Sequence, residues 1–245
     1  MDLQYTIISR TGGSITKVMI GALLCVGLVL KSYGEEIVNS SFEGKDSAGW
    51  EVKATEGTEP PRLEVLEAKG DQAASSYVLR VDDSEYAGTD GAFDLSYQMP
   101  EEISGTIEIS FKIRFLKEGV GSHLNADVRV SVREVADLTY VRFRTAPGRL
   151  SGVSYHDKER SEHIQSELSE LRPEAWYLVT LRLDLDHGDY SWQVDNLENS
   201  DPTQHAGAKD IPLYNSSKVI KKFSLVSVLR GGVFEIDDLK VETGR

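Results

Sequence analysis

Residues 106–115 read Thr-Ile-Glu-Ile-Ser-Phe-Lys-Ile-Arg-Phe, and every second side chain in this stretch is apolar. A period of two residues places the apolar side chains on one face of a β-strand and the polar side chains on the other. The stretch therefore predicts a strand that covers a hydrophobic core with one face and meets water with the other.

The same alternation recurs through most of the chain that follows residue 34. Its clearest case is a pair of runs joined by the turn Asp186-His187-Gly188-Asp189, which predicts a β-hairpin. Strands are also predicted over Leu63–Leu66, Tyr77–Val81, Phe93–Tyr97, residues 128–132 and 141–143, Tyr177–Leu185, Tyr190–Val194, Phe223–Leu229 and Val233–Val241. About a dozen strands separated by turn signals predict an all-β, two-sheet antiparallel jelly roll, formed as one domain by residues 35–245.

One stretch departs from the strand pattern. In Ser161–Leu171, apolar residues recur at helical spacing ahead of Pro173. This spacing predicts either a helix or a polar loop.

Composition and charge narrow the function classes. The chain has 245 residues, of which 40% are hydrophobic, and its formal net charge is −13. The apolar fraction excludes an intrinsically disordered polymer. The negative charge argues against a nucleic-acid partner, because such proteins need a basic surface to displace counterions from phosphates.

The N-terminus has the features of an export signal. Arg10 and Lys17 precede an apolar run over residues 18–30, and small residues at Ser32 and Gly34 follow it. We predict a signal peptide over residues 1–34, cleaved after Gly34. The alternative is an uncleaved anchor, which the run disfavours because it is shorter than a bilayer-spanning helix. Lipidation at the single cysteine, Cys25, is disfavoured by its neighbour Leu24, since a lipidated cysteine follows a small residue.

The predicted signal sets the compartment. We expect a secreted protein, extracellular or periplasmic, with no stable membrane insertion after signal cleavage. Its acidity keeps an exported protein soluble and discourages adsorption to anionic membranes.

Three stretches resemble parts of a known family. The segment Pro173–Leu181, with the hairpin and Trp192–Asn196 after it, is similar to the tryptophan-led strand pair of concanavalin A-like and laminin-G-like (LamG-like) jelly rolls. The ending Phe234–Val241 resembles their closing strand, and the opening Asn39-Ser40-Ser41-Phe42-Glu43 is similar to the start of jelly-roll carbohydrate-binding modules. These motifs are short, so the resemblance implies a fold more than a function.

The resemblance also implies a structural calcium ion. In those modules the Glu of the opening motif and the Asp of the closing strand coordinate a cation, and the matching residues here are Glu43 and Asp237. The apolar pattern of the closing strand changes parity between Ile236 and Leu239, which predicts a β-bulge at Asp237-Asp238. The alternative is a pair of exposed carboxylates beside the bulge.

Arginines concentrate on the polar faces of the central strands. Between Lys112 and Arg149 the chain has eight basic and four acidic residues. If the strands are neighbours, a basic stripe forms on one sheet, with Tyr140 or Tyr155 as a stacking partner; its members are Arg114, Arg129, Arg133, Arg142 and Arg144. Guanidinium groups suit carboxylates and sulfates, so the stripe suggests binding of an anionic polysaccharide. The alternative is cross-strand pairing with acidic residues.

The sequence leaves two enzymatic alternatives. The strand Glu235-Ile236-Asp237 superficially resembles the catalytic strand of jelly-roll glucanases, but the further Glu that these enzymes need is replaced by Leu239 and Lys240. The alternative to catalysis is that Glu235 and Asp237 are solvated acids on an edge strand. A polysaccharide lyase is the second alternative, for which Tyr155-His156 and His163 supply the residue types.

The sequence leads to one expectation about function. We expect an exported, non-catalytic protein that binds a polysaccharide or cell-surface glycan. The alternatives are an enzyme on the same fold and a structural or interaction module without a glycan ligand. The two Trp residues of the hairpin, Trp176 and Trp192, are expected to pack rather than stack on sugars.

Overall fold

The computed structural model describes residues 35–68, 77–86, 91–116, 127–145, 152–159, 161–168, 170–228 and 230–244. The predicted signal peptide lies outside the described residues. Two single-turn 3-10 helices are present, Ser84–Tyr86 and Pro202–Gln204. The strands are β1 Glu35–Ser40, β2 Trp50–Ala54, β3 Arg62–Glu67, β4 Tyr77–Asp82, β5 Phe93–Ser104, β6 Thr106–Phe115, β7 Asp127–Arg133, β8 Val141–Arg144, β9 Gly152–Asp157, β10 Glu162–Gln165, β11 Trp176–Asp184, β12 Asp189–Asn196, β13 His205–Pro212, β14 Val219–Ser227 and β15 Val233–Thr243.

The strands form two antiparallel sheets, as the alternation predicts. Sheet I has the order β13-β12-β11-β6-β15-β4-β3, and β1 pairs with the second half of β15. Sheet II has the order β10-β9-β8-β7-β14-β5-β2. Strands adjacent in sequence are therefore often separated in space, as in a Greek-key jelly roll.

The hydrophobic core lies between the two sheets. Phe111 of sheet I packs edge-on against Phe223 of sheet II, with ring centroids 5.1 Å apart, and Phe93 stacks on Phe234 at 6.4 Å. Trp192 is buried in this core, which confirms the packing role predicted from its position. Burial of large apolar side chains from both sheets is the main term that stabilises such a sandwich.

The predicted hairpin is present. Strands β11 and β12 pair from Tyr177 with Asn196 to Asp184 with Asp189, and Gly188 in the turn has a φ of 82°. A positive φ is accessible to glycine without steric penalty, which explains the residue at this position.

The stretch Ser161–Leu171 is neither a helix nor a plain loop. Residues Glu162–Gln165 form β10, the edge strand of sheet II, while Leu168 and Leu171 are buried beyond it. The helical spacing does not produce a helix, because Ile164 lies half-buried in β10 whereas Leu168 and Leu171 enter the core from the segment after this strand. Among the described residues, none of the helices has the length and hydrophobicity needed to cross a lipid bilayer.

The predicted bulge in the closing strand is confirmed. The pairing of β15 with β6 shifts between Asp237 and Lys240, and Asp238 has a φ of 49°. The bulge lies where β15 changes its other neighbour, because its first half pairs with β4 and its second half with β1.

Candidate functional site

The face of sheet II that points away from the core collects polar side chains from neighbouring strands. Cross-strand pairing places Gln165, Ser154, Arg142 and Arg129 in one row from β10 to β7. Since directly paired residues point to the same side of a sheet, these four side chains form a continuous polar surface. We call this surface the outer face of sheet II.

Four rings cluster at one end of this face. The imidazole rings of His156 and His163 are 4.9 Å apart, and Tyr140 lies 5.8 Å and 5.0 Å from them. Tyr214 closes the group, 5.1 Å from His156 and 6.3 Å from Tyr140. These residues, Tyr140, His156, His163 and Tyr214, are the ring cluster. Such a cluster combines flat faces for stacking on sugar rings with groups that exchange protons.

Two contacts fix Tyr140 within the ring cluster. The guanidinium carbon of Arg129 lies 4.9 Å from the centre of the Tyr140 ring, a cation–π contact. From the core side, the Tyr140 backbone N–H donates to the Tyr190 hydroxyl over 3.4 Å. Burial raises the pKa of the Tyr190 phenol, so this hydroxyl stays neutral. Arg129 therefore lies directly beside Tyr140, which in turn contacts both histidines.

A network of charges occupies the middle of the outer face. Asp94 accepts from Arg133 over 2.7 Å and from Lys222 over 3.0 Å. Asp137 pairs with both Arg129 and Arg133. Arg129 and Arg133 are thus paired with acidic residues, although not with acids of a strand adjacent to β7, because Asp137 lies in the connection after β7 and Asp94 lies in β5, beyond β14.

Buried polar atoms without a hydrogen-bond partner are frequent on this face. Within the described part of the chain these include Asp94 Oδ1, Arg129 Nε, Ser154 Oγ, His156 Nδ1 and Ser224 Oγ. Buried polar groups are nearly always paired in folded proteins, and each exception requires an explanation. Further atoms of this kind lie elsewhere in the described chain, including Trp50 Nε1 and Trp176 Nε1, so they do not by themselves mark this face as a ligand site.

The predicted binding residues fall in different places. Arg142 and Arg144 lie half-buried on the outer face of sheet II, in the strand next to Arg129. Tyr155 has the opposite parity from His156 and packs inward, with its ring 5.7 Å from that of Trp192. The choice of Tyr155 was therefore wrong for a surface site, and Tyr140 takes the position expected of a stacking partner.

Arg114 does not belong to the same stripe. It lies in β6 of sheet I, whereas Arg133, Arg142 and Arg144 lie in sheet II. Its guanidinium donates to Glu235 over 2.6 Å and lies 4.7 Å from the Trp176 ring. The five arginines cannot form one surface, because β6 belongs to sheet I whereas β7, the next strand along the chain, belongs to sheet II.

The predicted calcium ligands do not assemble a cation site. Glu43 is exposed and lines a depression of about 250 Å³ with Asp46 and Tyr97, whereas Asp237 is buried and is not part of that lining. Within the described ranges, no group of three or more His, Cys, Asp or Glu side chains is arranged to hold a metal ion. Calcium needs six or more oxygen ligands, so these residues do not fit the ion. The expectation of two exposed carboxylates is also wrong for Asp237.

The acids of the closing strand are not on an edge. Strand β15 lies inside sheet I, and Glu235 and Asp237 are both buried. The Glu235 carboxylate is engaged by the Arg114 guanidinium at 2.5 Å. This arrangement does not support glycoside hydrolysis by the closing strand.

Sequence reasoning missed Tyr214 and two buried serines of the outer face, Ser154 and Ser224. Tyr214 sits between strands, and its position is set by the hydrogen bond from its N–H to the Leu138 carbonyl over 2.8 Å. No local pattern signals such a contact, because Leu138 is far away along the chain.

Comparisons with known proteins support the architecture. No protein-family model matches the chain, and no curated protein matches it. Solved structures do match over most of their length. "Cellulose induced protein, Cip1" has 13% identity and a TM-score of 0.55, covering 85% of this chain and 98% of that one. Peanut lectin has 11% identity and a TM-score of 0.56, covering 86% and 99%.

A third match is the carbohydrate esterase from the Shiga toxin-encoding bacteriophage phi24B. It has 13% identity and a TM-score of 0.53, and the alignment covers 86% of this chain and 100% of that chain. At such low identities the likeness concerns the fold alone. The protein is an all-β, concanavalin A-like jelly roll, as the sequence predicts.

Proposed function

We propose that the protein binds a glycan on the outer face of sheet II, with the ring cluster as its stacking platform. The observation that carries the proposal is the ring cluster, in which Tyr140 lies 5.0 Å from His163 and His156 lies 5.1 Å from Tyr214, with the Arg129 guanidinium against Tyr140. Its rings offer stacking surfaces, and its polar neighbours offer hydrogen bonds to sugar hydroxyls, directly or through water.

The shape and chemistry of the ring cluster support a sugar over other small ligands. Tyr214 exposes 38% of its surface at the rim, and Tyr140 lies beside it with its ring against Arg129. Sugar rings stack their C–H faces on aromatic side chains and direct their hydroxyls to polar neighbours. The fold shared with a lectin agrees with this proposal by analogy.

The finer part of the proposal is a preference for anionic glycans. Arg129, Arg133, Arg142 and Arg144 all lie on the outer face of sheet II. Planar guanidinium groups match carboxylate and sulfate oxygens in pairs. We further propose that the protein is exported by the N-terminal signal and meets this glycan outside the cytoplasm.

Affinity measurements on purified protein test the proposal. We would titrate oligogalacturonate, a sulfated oligosaccharide and a neutral cello-oligosaccharide of equal length by calorimetry. Tyr140→Ala and His163→Ala should each weaken binding about tenfold or more, as expected for central contacts. His187→Ala, in an exposed turn of sheet I, is the matched histidine control and should bind normally. If Tyr140→Ala and His163→Ala bind with the same affinity as the control His187→Ala, the proposed site is disproved.

Two further arms test the finer claims. Arg142→Ala and Arg144→Ala should weaken binding of the acidic glycans and leave the neutral one unchanged. Unchanged retention of these variants on immobilised uronans and sulfated glycans would disprove the anionic preference. Binding with and without calcium, with a chelator as the second condition, tests the predicted ion. An affinity that does not change on chelation argues against a calcium role in binding.

The arrangement of Arg129 beside Tyr140, which contacts His156 and His163, favours a second candidate function, β-elimination on a uronan. In this reaction a base removes the C5 proton, whose acidity depends on neutralisation of the adjacent carboxylate by a cation such as Arg129. The C4–O4 bond breaks, a C4=C5 double bond forms, and an acid protonates the departing oxygen. No water is consumed, and the histidines and tyrosines supply both proton-transfer groups.

Product analysis separates the two candidates. A lyase produces unsaturated uronate ends that absorb ultraviolet light, together with new reducing ends. His156→Ala should abolish this product while retaining measurable binding. If wild-type protein binds uronan and no unsaturated product forms over a range of pH values, the protein is a binding module.

A further inference from the structure

We infer that Arg129 and Arg133 form the subsite for the acidic group of a bound sugar, and that Asp137 occupies this subsite in the free protein. The inference rests on the proposed glycan-binding function and specifies where the acid of the ligand binds. In this arrangement the protein carries an internal competitor for its own ligand.

The contacts of Asp137 are those expected for a bound carboxylate. Its Oδ2 atom lies 3.0 Å from Arg129 Nη2, and its Oδ1 atom contacts Arg133 Nε. The Ser131 hydroxyl, between the two arginines on β7, donates to Oδ1 over 2.7 Å. Two guanidinium groups and one hydroxyl thus converge on a single carboxylate. Charge-assisted hydrogen bonds of this kind are the usual means of binding carboxylates and sulfates.

Asp137 reaches the subsite from a connection, not from a strand. It lies between β7 and β8, and the backbone of this connection is held by other bonds. The Leu138 N–H donates to the Val132 carbonyl over 2.8 Å, and the Val132 N–H donates to the Thr139 hydroxyl over 3.1 Å. The Asn215 side chain donates to the Asp137 carbonyl over 2.7 Å. The backbone of the connection is therefore held independently of the contacts that the Asp137 carboxylate makes.

The Asp137 carboxylate is partly exposed to solvent. The exposed fractions of the side chains of Asp137, Arg129 and Arg133 are 19%, 21% and 17%. The subsite also adjoins the ring cluster, because the Arg129 guanidinium lies against Tyr140. A sugar stacked on Tyr140 therefore places its acidic substituent next to the position that Asp137 occupies.

A ligand acid must displace Asp137, so removal of the internal charge should strengthen binding. Asp137→Asn keeps the size of the side chain and an oxygen that accepts from Ser131. We expect this variant to bind acidic oligosaccharides about tenfold more tightly, with a larger gain at low salt. Affinity for a neutral oligosaccharide of the same length should not change.

Glu108→Gln is the matched control. Glu108 lies on sheet I and pairs with Arg182 at the surface, whereas Arg129 and Arg133 lie on sheet II. The substitution changes the net charge by the same amount, so it measures the general effect of charge on affinity. A gain for Asp137→Asn well above that for Glu108→Gln supports the inference.

The probes are oligogalacturonate, a sulfated oligosaccharide and a cello-oligosaccharide, titrated by calorimetry at two salt concentrations. A gain with either acidic probe supports the inference, and the probe with the larger gain identifies the acid as carboxylate or sulfate. Unchanged or weaker binding by a folded Asp137→Asn variant overturns it, as does an equal gain with the neutral probe. If Tyr140→Ala still loses affinity in that case, the glycan-binding function stands and only the internal competitor is wrong.

Discussion

Arg230 holds the carboxylate of Asp83 inside the protein with three hydrogen bonds. Its Nε donates to both carboxylate oxygens over 2.9 Å and 2.8 Å, its Nη2 donates over 2.6 Å, and both side chains have an exposed fraction of 0%. Gly231 N adds a bond of 2.7 Å to the same carboxylate. The pair ties the end of β4 to the connection between β14 and β15.

This buried pair should be essential for stability. Asp83→Asn leaves the Arg230 charge buried without a counter-charge, and breaking such a pair destabilises a protein by about 3 to 5 kcal/mol. Urea denaturation followed by tryptophan fluorescence measures the free energy of unfolding. Glu108→Gln is the control, because the Arg182–Glu108 pair is exposed by 67% and 40% and should contribute less than about 1 kcal/mol. Similar losses in both variants would contradict the role of burial.

Arg114 should matter for stability and not for ligand binding. Its guanidinium lies between the Glu235 carboxylate and the Trp176 ring, on sheet I and away from the ring cluster. Arg114→Ala should lower the free energy of unfolding by about 2 kcal/mol, since it leaves a buried carboxylate without its donor. Retention on immobilised uronan should equal that of the wild type. Reduced retention of a folded Arg114→Ala variant would show that Arg114 does belong to the binding surface.

The local alternation of residues was sufficient to predict that the chain forms two antiparallel sheets. Residues 106–115 form β6 with the predicted bounds, and the parity change after Ile236 located the bulge. Strands with a weak apolar pattern were not recognised: β1, β2, β9, β10 and β13. Four of these five, β1, β2, β10 and β13, pair with a neighbour on one side only, where side chains are less buried and the pattern carries less information.

The candidate site was only partly predictable, because it depends on which strands become neighbours. His156 and His163 were identified by residue type, and their contact follows from the pairing of β9 with β10. The separation of Arg114 from Arg133 depends on the chain crossing from one sheet to the other between β6 and β7. A period of two residues reports the face of a strand, but it does not report the sheet to which the strand belongs.

The hairpin turn should show a pH dependence that originates in one pair. The Asp184 carboxylate, at 2.8 Å, raises the pKa of His187 above its ordinary value of 6.5, and bonds from His187 lower the pKa of Asp184 below 3.8. The contribution of His187 is complete below its unfolded pKa and is lost as the pH rises through the folded pKa. That of Asp184 is complete above its unfolded pKa and is lost on acidification. The pair therefore stabilises the turn most between these two ordinary values.

Titration of the imidazole resonances by NMR checks this expectation. His187 should titrate above 6.5, and Asp184→Asn should return its pKa toward that value. Both side chains are at the surface, so added salt should reduce the shift. A His187 pKa that is the same in wild type and variant would show that the pair does not form in solution.

The bulge at Asp238 should tolerate only residues that accept a left-handed backbone. Asp238 has a φ of 49°, a region that Asp, Asn and Gly populate and that β-branched residues avoid. Its carboxylate also pairs with Lys112 over 3.0 Å. Asp238→Asn and Asp238→Val both lose this ion pair, so the difference between them isolates the backbone term. We expect the valine variant to be less stable than the asparagine variant by about 1 to 2 kcal/mol in urea denaturation. Equal stabilities would mean that the strand straightens, which requires β1 and β6 to re-register against β15 and would appear as changed amide exchange in all three strands.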